Sequence, residues 1–126
     1  MREITVVTEN KVGALALVCE ALCGVGVNIR AISAQAIGDT GIIRLLTEDE
    51  ASAKKVLERS GFKVAIGDVI TVKLKDRPGE LAKIARKLAT SRVDIESVYI
   101  LGKANSDVEI AIKPSNVQGA MSALKK

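Results

Sequence analysis

Two short polar turns contain the residues of this sequence that are best suited to binding a small ligand. The first is Asn10-Lys11-Val12-Gly13 and the second is Asp76-Arg77-Pro78-Gly79. Glycine adopts backbone angles that other residues resist, and each turn precedes a predicted helix whose first N–H groups have no helical partner. A turn of this kind can bind a carboxylate. The same pattern is also compatible with a plain strand-to-helix turn, in which proline is favoured near the helix start.

A second pair of polar residues, Asn28 and Asp94, occupies equivalent places at the start of a predicted strand in each half of the chain. An amide or carboxylate oxygen can accept hydrogen bonds from an ammonium group. If the turn of one half faced the strand start of the other, the two would bind both ends of an amino acid. The alternative is that Asn28 and Asp94 only stabilise the local helix-to-strand turn.

Catalysis and metal binding are not indicated. The chain has no histidine, which removes the commonest general base and metal ligand. Cys19 and Cys23 lie four residues apart on one predicted helix, and two thiolates cannot complete a tetrahedral zinc site. We therefore interpret both cysteines as small buried apolar residues and expect no catalytic residue, no cofactor and no metal site.

The turns occur twice because the sequence is duplicated. Ile4-Thr5-Val6 reappears as Ile70-Thr71-Val72, 66 positions later, and Gly13-x-Leu15-Ala16 reappears as Gly79-x-Leu81-Ala82 at the same offset. This period exceeds the 20–50 residues of solenoid repeats and indicates two copies of a small domain. We place these domains at residues 1–68 and 69–126.

Each copy is predicted to follow the order β-α-β-β-α-β of an α+β, ferredoxin-like unit, with the last strand missing from the second copy. The apolar phase slips between Ile29 and Ile32, and again between Ile95 and Val98, which predicts a β-bulge in each copy. Carrying the 66-residue offset through the third strand would place Arg44 at a core position. We therefore expect a one-residue slip in that hairpin, which exposes Arg44.

Helix starts and helix faces can also be predicted. Thr47 and Ser115 have the spacing of capping boxes and are expected to begin the second helix of each copy. Residues 14–23 contain one charge, Glu20, so this helix should lie against another domain or chain, as in a homodimer. The equivalent helix over residues 80–90 is charged on one side and should face water.

Composition restricts the class of protein. The 126 residues are 48% hydrophobic and 27% charged, with a net charge of +4 that is spread along the chain. These values are typical of a globular protein with a solvated surface rather than a nucleic-acid-binding patch. No apolar stretch is long enough for a membrane span, no signal peptide is evident, and two cysteines suggest a reducing compartment. We expect a cytoplasmic protein that binds neither membrane nor nucleic acid.

The sequence resembles the ACT family. The resemblance rests on Asp76-Arg77-Pro78-Gly79-Glu80-Leu81-Ala82 followed by Val93-Asp94-Ile95, and on Asn10-Lys11-Val12-Gly13-Ala14-Leu15 followed by Val27-Asn28-Ile29. It implies ferredoxin-like domains paired side by side into a larger sheet, and a regulatory role in which an amino acid binds between domains. The residues that it places at the ligand are Asn10, Lys11, Val12, Gly13, Ala14, Asn28 and Ile29 in the first copy, and Asp76, Arg77, Pro78, Gly79, Glu80, Asp94 and Ile95 in the second.

Three functions follow as hypotheses. The first is a non-catalytic regulatory protein that binds a small amino acid between ACT-like domains and acts by altering domain or subunit packing. The second is a regulatory subunit that docks on a metabolic enzyme with weak or no ligand binding. The third is RNA binding, because the RNA-recognition module shares the element order. That module stacks bases on aromatic residues, and the predicted strands 42–46 and 108–112 contain none.

Overall fold

The duplicated sequence folds into two units with the same order of strands and helices. The structure is a computed structural model that describes residues 1–125, and its units are Met1–Gly67 and the segment from Asp68 onward. The elements of the first unit are β1 (Arg2–Glu9), α1 (Ala14–Gly24), β2 (Ile29–Ile37), β3 (Thr40–Thr47), α2 (Glu50–Arg59) and β4 (Lys63–Asp68). Those of the second are β5 (Ile70–Lys75), α3 (Glu80–Thr90), β6 (Ile95–Ala104), β7 (Asp107–Pro114) and α4 (Val117–Leu124).

Each unit has one antiparallel sheet covered by two helices. The strand order is β2-β3-β1-β4 in the first unit and β5-β7-β6 in the second. The strands β5, β7 and β6 correspond to β1, β3 and β2. When the second sheet is read from its other edge, its order is therefore that of the first sheet without β4. The ferredoxin-like plan predicted from the sequence is confirmed, including the strand that the second copy lacks among residues 1–125.

The register of the third strand confirms the predicted one-residue slip. Ile4 pairs with Leu45 in the first unit, and its equivalent Ile70 pairs with Ile112 in the second. Leu45 and Ile112 are therefore equivalent although they lie 67 positions apart rather than 66. The slip removes Arg44 from the core, and its side chain is half-buried between Thr5 and Ser33 on neighbouring strands rather than fully exposed.

Both predicted β-bulges are present. The register between β2 and β3 shifts between Ile29 and Ala31, and that between β6 and β7 shifts between Ile95 and Ser97. A further shift follows between Ile100 and Gly102 in the second unit. An extra residue at a bulge reverses the alternation of faces, which explains the change of apolar phase in the sequence.

Alternating apolar residues build a separate core in each unit. In the first, Ile4, Val18, Leu22, Leu45 and Leu57 lie between the sheet and its two helices with no solvent exposure. In the second, the corresponding core contains Leu88, Ile110, Ile112, Ala120 and Ala123. Aliphatic residues thus supply almost all of the packing.

The predicted helix caps are wrong by one or two residues. Asp49 rather than Thr47 caps α2, and its carboxylate accepts a hydrogen bond from the Ser52 N–H at 3.1 Å. Thr47 instead ends β3, where its buried hydroxyl has no hydrogen-bond partner within residues 1–125. Asn116 caps α4 in place of Ser115. The first prediction failed because Thr47 still belongs to β3, and the second because the Ser115 hydroxyl accepts a hydrogen bond from the Asp94 N–H instead.

The solvent-facing sides of α1 and α3, the first helix of each unit, differ in polarity. On α1 the large side chains Leu15 and Leu17 are 42% and 54% exposed. On α3 the exposed residues include Lys83 and Arg86, in agreement with the prediction that this helix faces water. None of the helices in the described part of the chain is long and apolar enough to cross a membrane.

The core assignment can be tested by shortening one buried side chain. Leu88 is fully buried in the second core, so Leu88→Ala should lower the free energy of unfolding by about 2–5 kcal/mol. Leu81 lies on the same helix but is 47% exposed, and Leu81→Ala should change that energy by less than about 0.5 kcal/mol. Urea denaturation followed by circular dichroism measures both values. Similar losses for the two variants would contradict the packing described above.

Candidate functional site

The helices that follow the two polar turns begin in the same unusual way. Gly13 precedes α1 with φ 92° and ψ −6°, and Gly79 precedes α3 with φ 88° and ψ −12°. These angles lie in the left-handed region, which a side chain with a Cβ disfavours. The glycine that the sequence places in each turn is therefore required by the backbone geometry.

The second and third N–H groups of α1 and α3 are available to a ligand, whereas the first N–H group of each helix donates to the Lys11 or the Arg77 carbonyl. Neither Gly13 nor Gly79 can supply a capping side chain, whereas α2 and α4 are capped by Asp49 and Asn116. In α1 the first helical bond runs from the Leu17 N–H to the Gly13 carbonyl at 3.0 Å, and in α3 the equivalent bond is 3.1 Å long. The N–H groups of the second and third helical residues have no acceptor within the described chain. They point outward at the positive end of the helix dipole.

Hydrogen bonds hold each turn against the hairpin that joins the second and third strands of its unit. The Asn10 N–H donates to the Asp39 carbonyl at 2.8 Å, and the Asn10 side-chain amide donates to the Gly38 carbonyl at 2.9 Å. In the second unit the Asp76 N–H donates to the Ser106 carbonyl, also at 2.8 Å. The hairpin therefore positions the turn, although the two lie far apart in the sequence.

A cavity of about 240 Å³ lies beside the first turn. Its volume equals that of about eight water molecules at roughly 30 Å³ each in the liquid, which is enough space for a small amino acid. The lining residues come from the end of β1, the start of α1 and the facing parts of β2 and β3. They are Thr8, Glu9, Asn10, Lys11, Ala14, Leu15, Ala34, Gln35, Ala36, Gly41 and Ile43.

The first turn is electrostatically suited to an anion. Lys11 is exposed and forms no ion pair in the part of the chain that the structure describes. It lies beside the free N–H groups at the start of α1, so its ammonium group adds to the positive potential there. Val12 extends fully into solvent and does not line the cavity.

The second turn differs because its charged groups pair with one another. Glu80 contacts Lys83 at 2.9 Å and Arg77 at 3.6 Å, and Asp76 contacts Lys103 at 3.4 Å. The hydrogen bond from Lys83 holds the pKa of the Glu80 carboxyl below its ordinary value. A carboxylate at the first position of α3 occupies the positive end of the helix dipole, where it competes with an anionic ligand. The first turn is therefore the stronger candidate site.

The structure does not bring Asn28 and Asp94 to the turns of their own units. Asn28 follows the C-terminal end of α1, where it lines a separate cavity of about 360 Å³ with Ile29, Cys19 and Cys23. The prediction that both cysteines are buried is wrong, because Cys19 is half-buried and Cys23 is exposed on the outer side of α1. The helix between the turn and Asn28 has 11 residues and is about 16 Å long at 1.5 Å per residue. The backbone of Asp94 is fixed by Ser115, whose hydroxyl accepts from the Asp94 N–H at 2.9 Å. Ile95 begins β6 in the same way as Ile29 begins β2.

Sequence reasoning missed part of the first cavity. Thr8, Glu9 and Gln35 line it, yet none belongs to a motif that marks a site. The signal that could have found Gln35 is the bulge in β2, since that bulge determines which face of the sheet each later residue occupies. Among residues 1–125 no cluster of three or more histidine, cysteine or acidic residues could hold a metal ion.

Comparisons with known proteins agree with the duplicated fold. A family model described as an ACT domain pair matches residues 1–120. A protein of known structure from Bacteroides thetaiotaomicron is 32% identical, with a TM-score of 0.86 over 98% of this chain and 85% of that one. The regulatory subunits of aspartate kinase from Thermus thermophilus and Thermus flavus are each 17% identical over 98% of this chain and 90% of theirs. Their TM-scores are 0.73 and 0.67, and they show similarity of fold alone. A search of curated proteins found no match.

The left-handed turn can be tested with two glycine substitutions. Gly13→Ala should lower the free energy of unfolding by about 1–2 kcal/mol, because alanine disfavours this backbone conformation. No atom lies within 4 Å of the added Cβ, so the loss would come from the backbone. Gly24, at the end of α1, also has open space around it but no left-handed φ. Gly24→Ala should therefore leave that energy unchanged or raise it by up to about 1 kcal/mol. Chemical denaturation measures both values. If Gly13→Ala left the free energy of unfolding unchanged, the left-handed backbone at position 13 would not require glycine.

The pairing of Glu80 can be tested by its titration. Its pKa is lower in the folded than in the unfolded chain. The ion pair therefore contributes stability above the unfolded pKa and loses it as the pH falls through the folded pKa. NMR titration of the Glu80 carboxyl should show a depressed pKa that rises towards its ordinary value in Lys83→Met. Lys54→Met on α2 serves as the control and should leave it unchanged. An unperturbed Glu80 in the native chain would disprove the pairing.

Proposed function

The chain belongs to the ACT domain pair family, and from this membership we propose that it is a non-catalytic regulatory protein that binds a small amino acid. The ligand would bind at an interface between two ACT domains, in one chain or in two chains of a homodimer. Binding would favour one packing of the domains over another and so regulate a partner. Both cysteines are free thiols, which is compatible with a reducing cytoplasm.

One observation carries this proposal: α1 begins with a left-handed glycine and two free N–H groups beside a cavity large enough for an amino acid. A ligand carboxylate placed there would accept hydrogen bonds from the N–H groups of Leu15 and Ala16. The Lys11 ammonium group would add an attractive charge. Hydrogen bonds to ionised groups are roughly twice as strong as neutral ones, so these two N–H groups would contribute substantially to binding.

The ammonium group of the ligand requires oxygen acceptors. Glu9 and the side-chain amide of Gln35 line the same cavity and can supply them within one unit. Asn28 and Asp94 are the other candidates. Both lie at the opposite end of a helix from the turn of their own unit, so either would have to approach the ligand from another domain. The second turn would bind more weakly, because Glu80 already occupies the start of α3.

A second candidate function is docking on a metabolic enzyme with weak or no ligand binding. The observation that favours it is the exposed apolar surface of α1, where Leu15 and Leu17 are about half exposed. Side chains of this size favour association when another protein removes them from water. The same surface supports a homodimer, so docking and amino-acid binding are compatible in one protein.

Amino-acid binding can be tested by a thermal-shift panel of the twenty amino acids. At 100 times its Kd a ligand adds about 2.7 kcal/mol to the free energy of unfolding, and the midpoint should rise by several degrees. Gly13→Val should abolish the shift, because a β-branched residue cannot adopt the left-handed turn. Gly79→Val tests the second turn separately.

The control is Gly24→Ala, which leaves both turns intact and should keep the shift. No response to any of the twenty compounds would overturn amino-acid binding and leave docking as the better explanation. A shift that survives Gly13→Val and Gly79→Val would place the ligand away from both turns.

A further inference from the structure

Strand register shows which residues of the second unit correspond to those around the first cavity. At the end of each sheet that lies beside the turn, one residue of the third strand pairs with one residue of the first strand and one of the second. The corresponding residues are Gly41 and Val108 on the third strands, Thr8 and Leu74 on the first, and Ala36 and Lys103 on the second. Larger side chains thus occupy all three positions in the second unit.

Two of these larger side chains extend the second core towards its turn. Leu74 and Val108 pack against the buried residues of that core. Thr8 and Gly41, in contrast, line the cavity of the first unit. The space that is open beside the first turn is therefore filled from the sheet in the second unit.

The third of these side chains places an ammonium group against the second turn. Lys103 Nζ is 3.4 Å from Oδ2 of Asp76, the residue that corresponds to Asn10 of the first turn. In the first unit the position of Lys103 is occupied by Ala36, which is uncharged and lines the cavity. The second turn thus has a positive group of its own where the first turn has space.

A carboxylate lies at the start of the helix that follows the second turn. Glu80 is the first residue of α3, and its side chain is only 15% exposed. It contacts Arg77, which corresponds to Lys11, whereas its own counterpart in α1 is Ala14. Glu80 and Lys103 therefore supply the second turn with the two charged groups that an amino acid carries.

We propose that Glu80 and Lys103 substitute for a ligand in the second unit, so that this turn is closed and each chain binds one amino acid, at the first turn. Val108 completes the closure from the sheet. The inference rests on the amino-acid binding proposed above and specifies how many ligands a chain binds and at which turn. The residues that keep the first turn open are Ala14, Ala36 and Gly41.

The same comparison assigns a position to the ammonium group of the ligand. Because Lys103 contacts Asp76, the ammonium group of a ligand in the first unit would lie against Asn10. The Asn10 Nδ2 group donates to the Gly38 carbonyl at 2.9 Å, so Oδ1 of the same amide is the atom that can accept from the ligand. Glu9, which also lines the cavity, would add an attractive negative charge.

Closure can be tested by NMR on the isotope-labelled 126-residue chain, with an equimolar mixture of the twenty amino acids as the probe. The resonances to follow are those of the second and third helical N–H groups, Leu15 and Ala16 in α1 and Leu81 and Ala82 in α3. The mixture should shift the α1 pair and leave the α3 pair in place. Shifts of equal size in the two pairs would overturn closure and leave amino-acid binding standing.

Opening the second turn tests closure without relying on the first. A triple variant with Glu80→Ala, Lys103→Ala and Val108→Ala should make the α3 pair respond to the mixture. Lys113→Ala is the control, because it removes a lysine ion pair from the other end of β7 and should leave the α3 pair unresponsive. A folded triple variant whose α3 pair stays silent would overturn the proposal. If circular dichroism shows that the triple variant is unfolded, the double variant without Val108→Ala takes its place and is judged in the same way.

The reverse exchange closes the first turn. Ala36→Lys should weaken binding there by at least about tenfold, because the added ammonium group repels that of the ligand. Ile37→Lys adds the same charge at the next residue, which is 58% exposed and outside the cavity lining, and should change Kd less than about threefold. Equal effects of the two substitutions would contradict the role of residue 36. A native chain that responds to none of the twenty compounds would overturn the proposed function, and closure of the second turn would then be decided by the triple variant.

Discussion

The left-handed backbone at Gly13 and Gly79 is the constraint on which the candidate site depends. It turns the chain sharply from a strand into a helix and excludes a capping side chain from the first position. Two consequences follow together, because the residue type that permits the turn is also one that leaves the next helical N–H groups unpaired. The turn is not free to move, since hydrogen bonds at Asn10 and Asp76 tie it to a distant hairpin. The position of these unpaired N–H groups therefore results from a requirement of the fold.

Duplication shows how the same fold can carry different surfaces. The two turns share their backbone angles, but only the first leaves a basic residue beside the helix start without an ion pair. Glu80 and Lys83 satisfy each other in the second turn, and no equivalent pair exists at Ala14 and Leu17. The core positions, in contrast, are kept as aliphatic residues in both units. Packing requires aliphatic residues in the core of both copies, whereas the fold does not require the same charged residues in the two turns.

The two units also differ in how completely their cores are covered. Four strands close the first sheet over Ile4 and Val6, whereas three strands leave the equivalent side chains on β5 partly exposed. A unit of about 60 residues buries only about 60% of its unfolded surface and has little stability to spare.

The sequence alone determined the element order, the duplication, both bulges and the slip at Arg44, because these depend on local apolar periodicity that a repeated pattern makes visible. It also identified the glycine turns, since the residue type is dictated by backbone angles. The helix caps were missed because β3 extends to Thr47 and because the Ser115 hydroxyl is used by the distant Asp94 N–H. Only the tertiary structure decided that Gln35 reaches the first turn, that Asn28 lies at the far end of α1, and that Glu80 pairs with Lys83. Those facts depend on strand register and on side-chain contacts between elements, which no local pattern encodes.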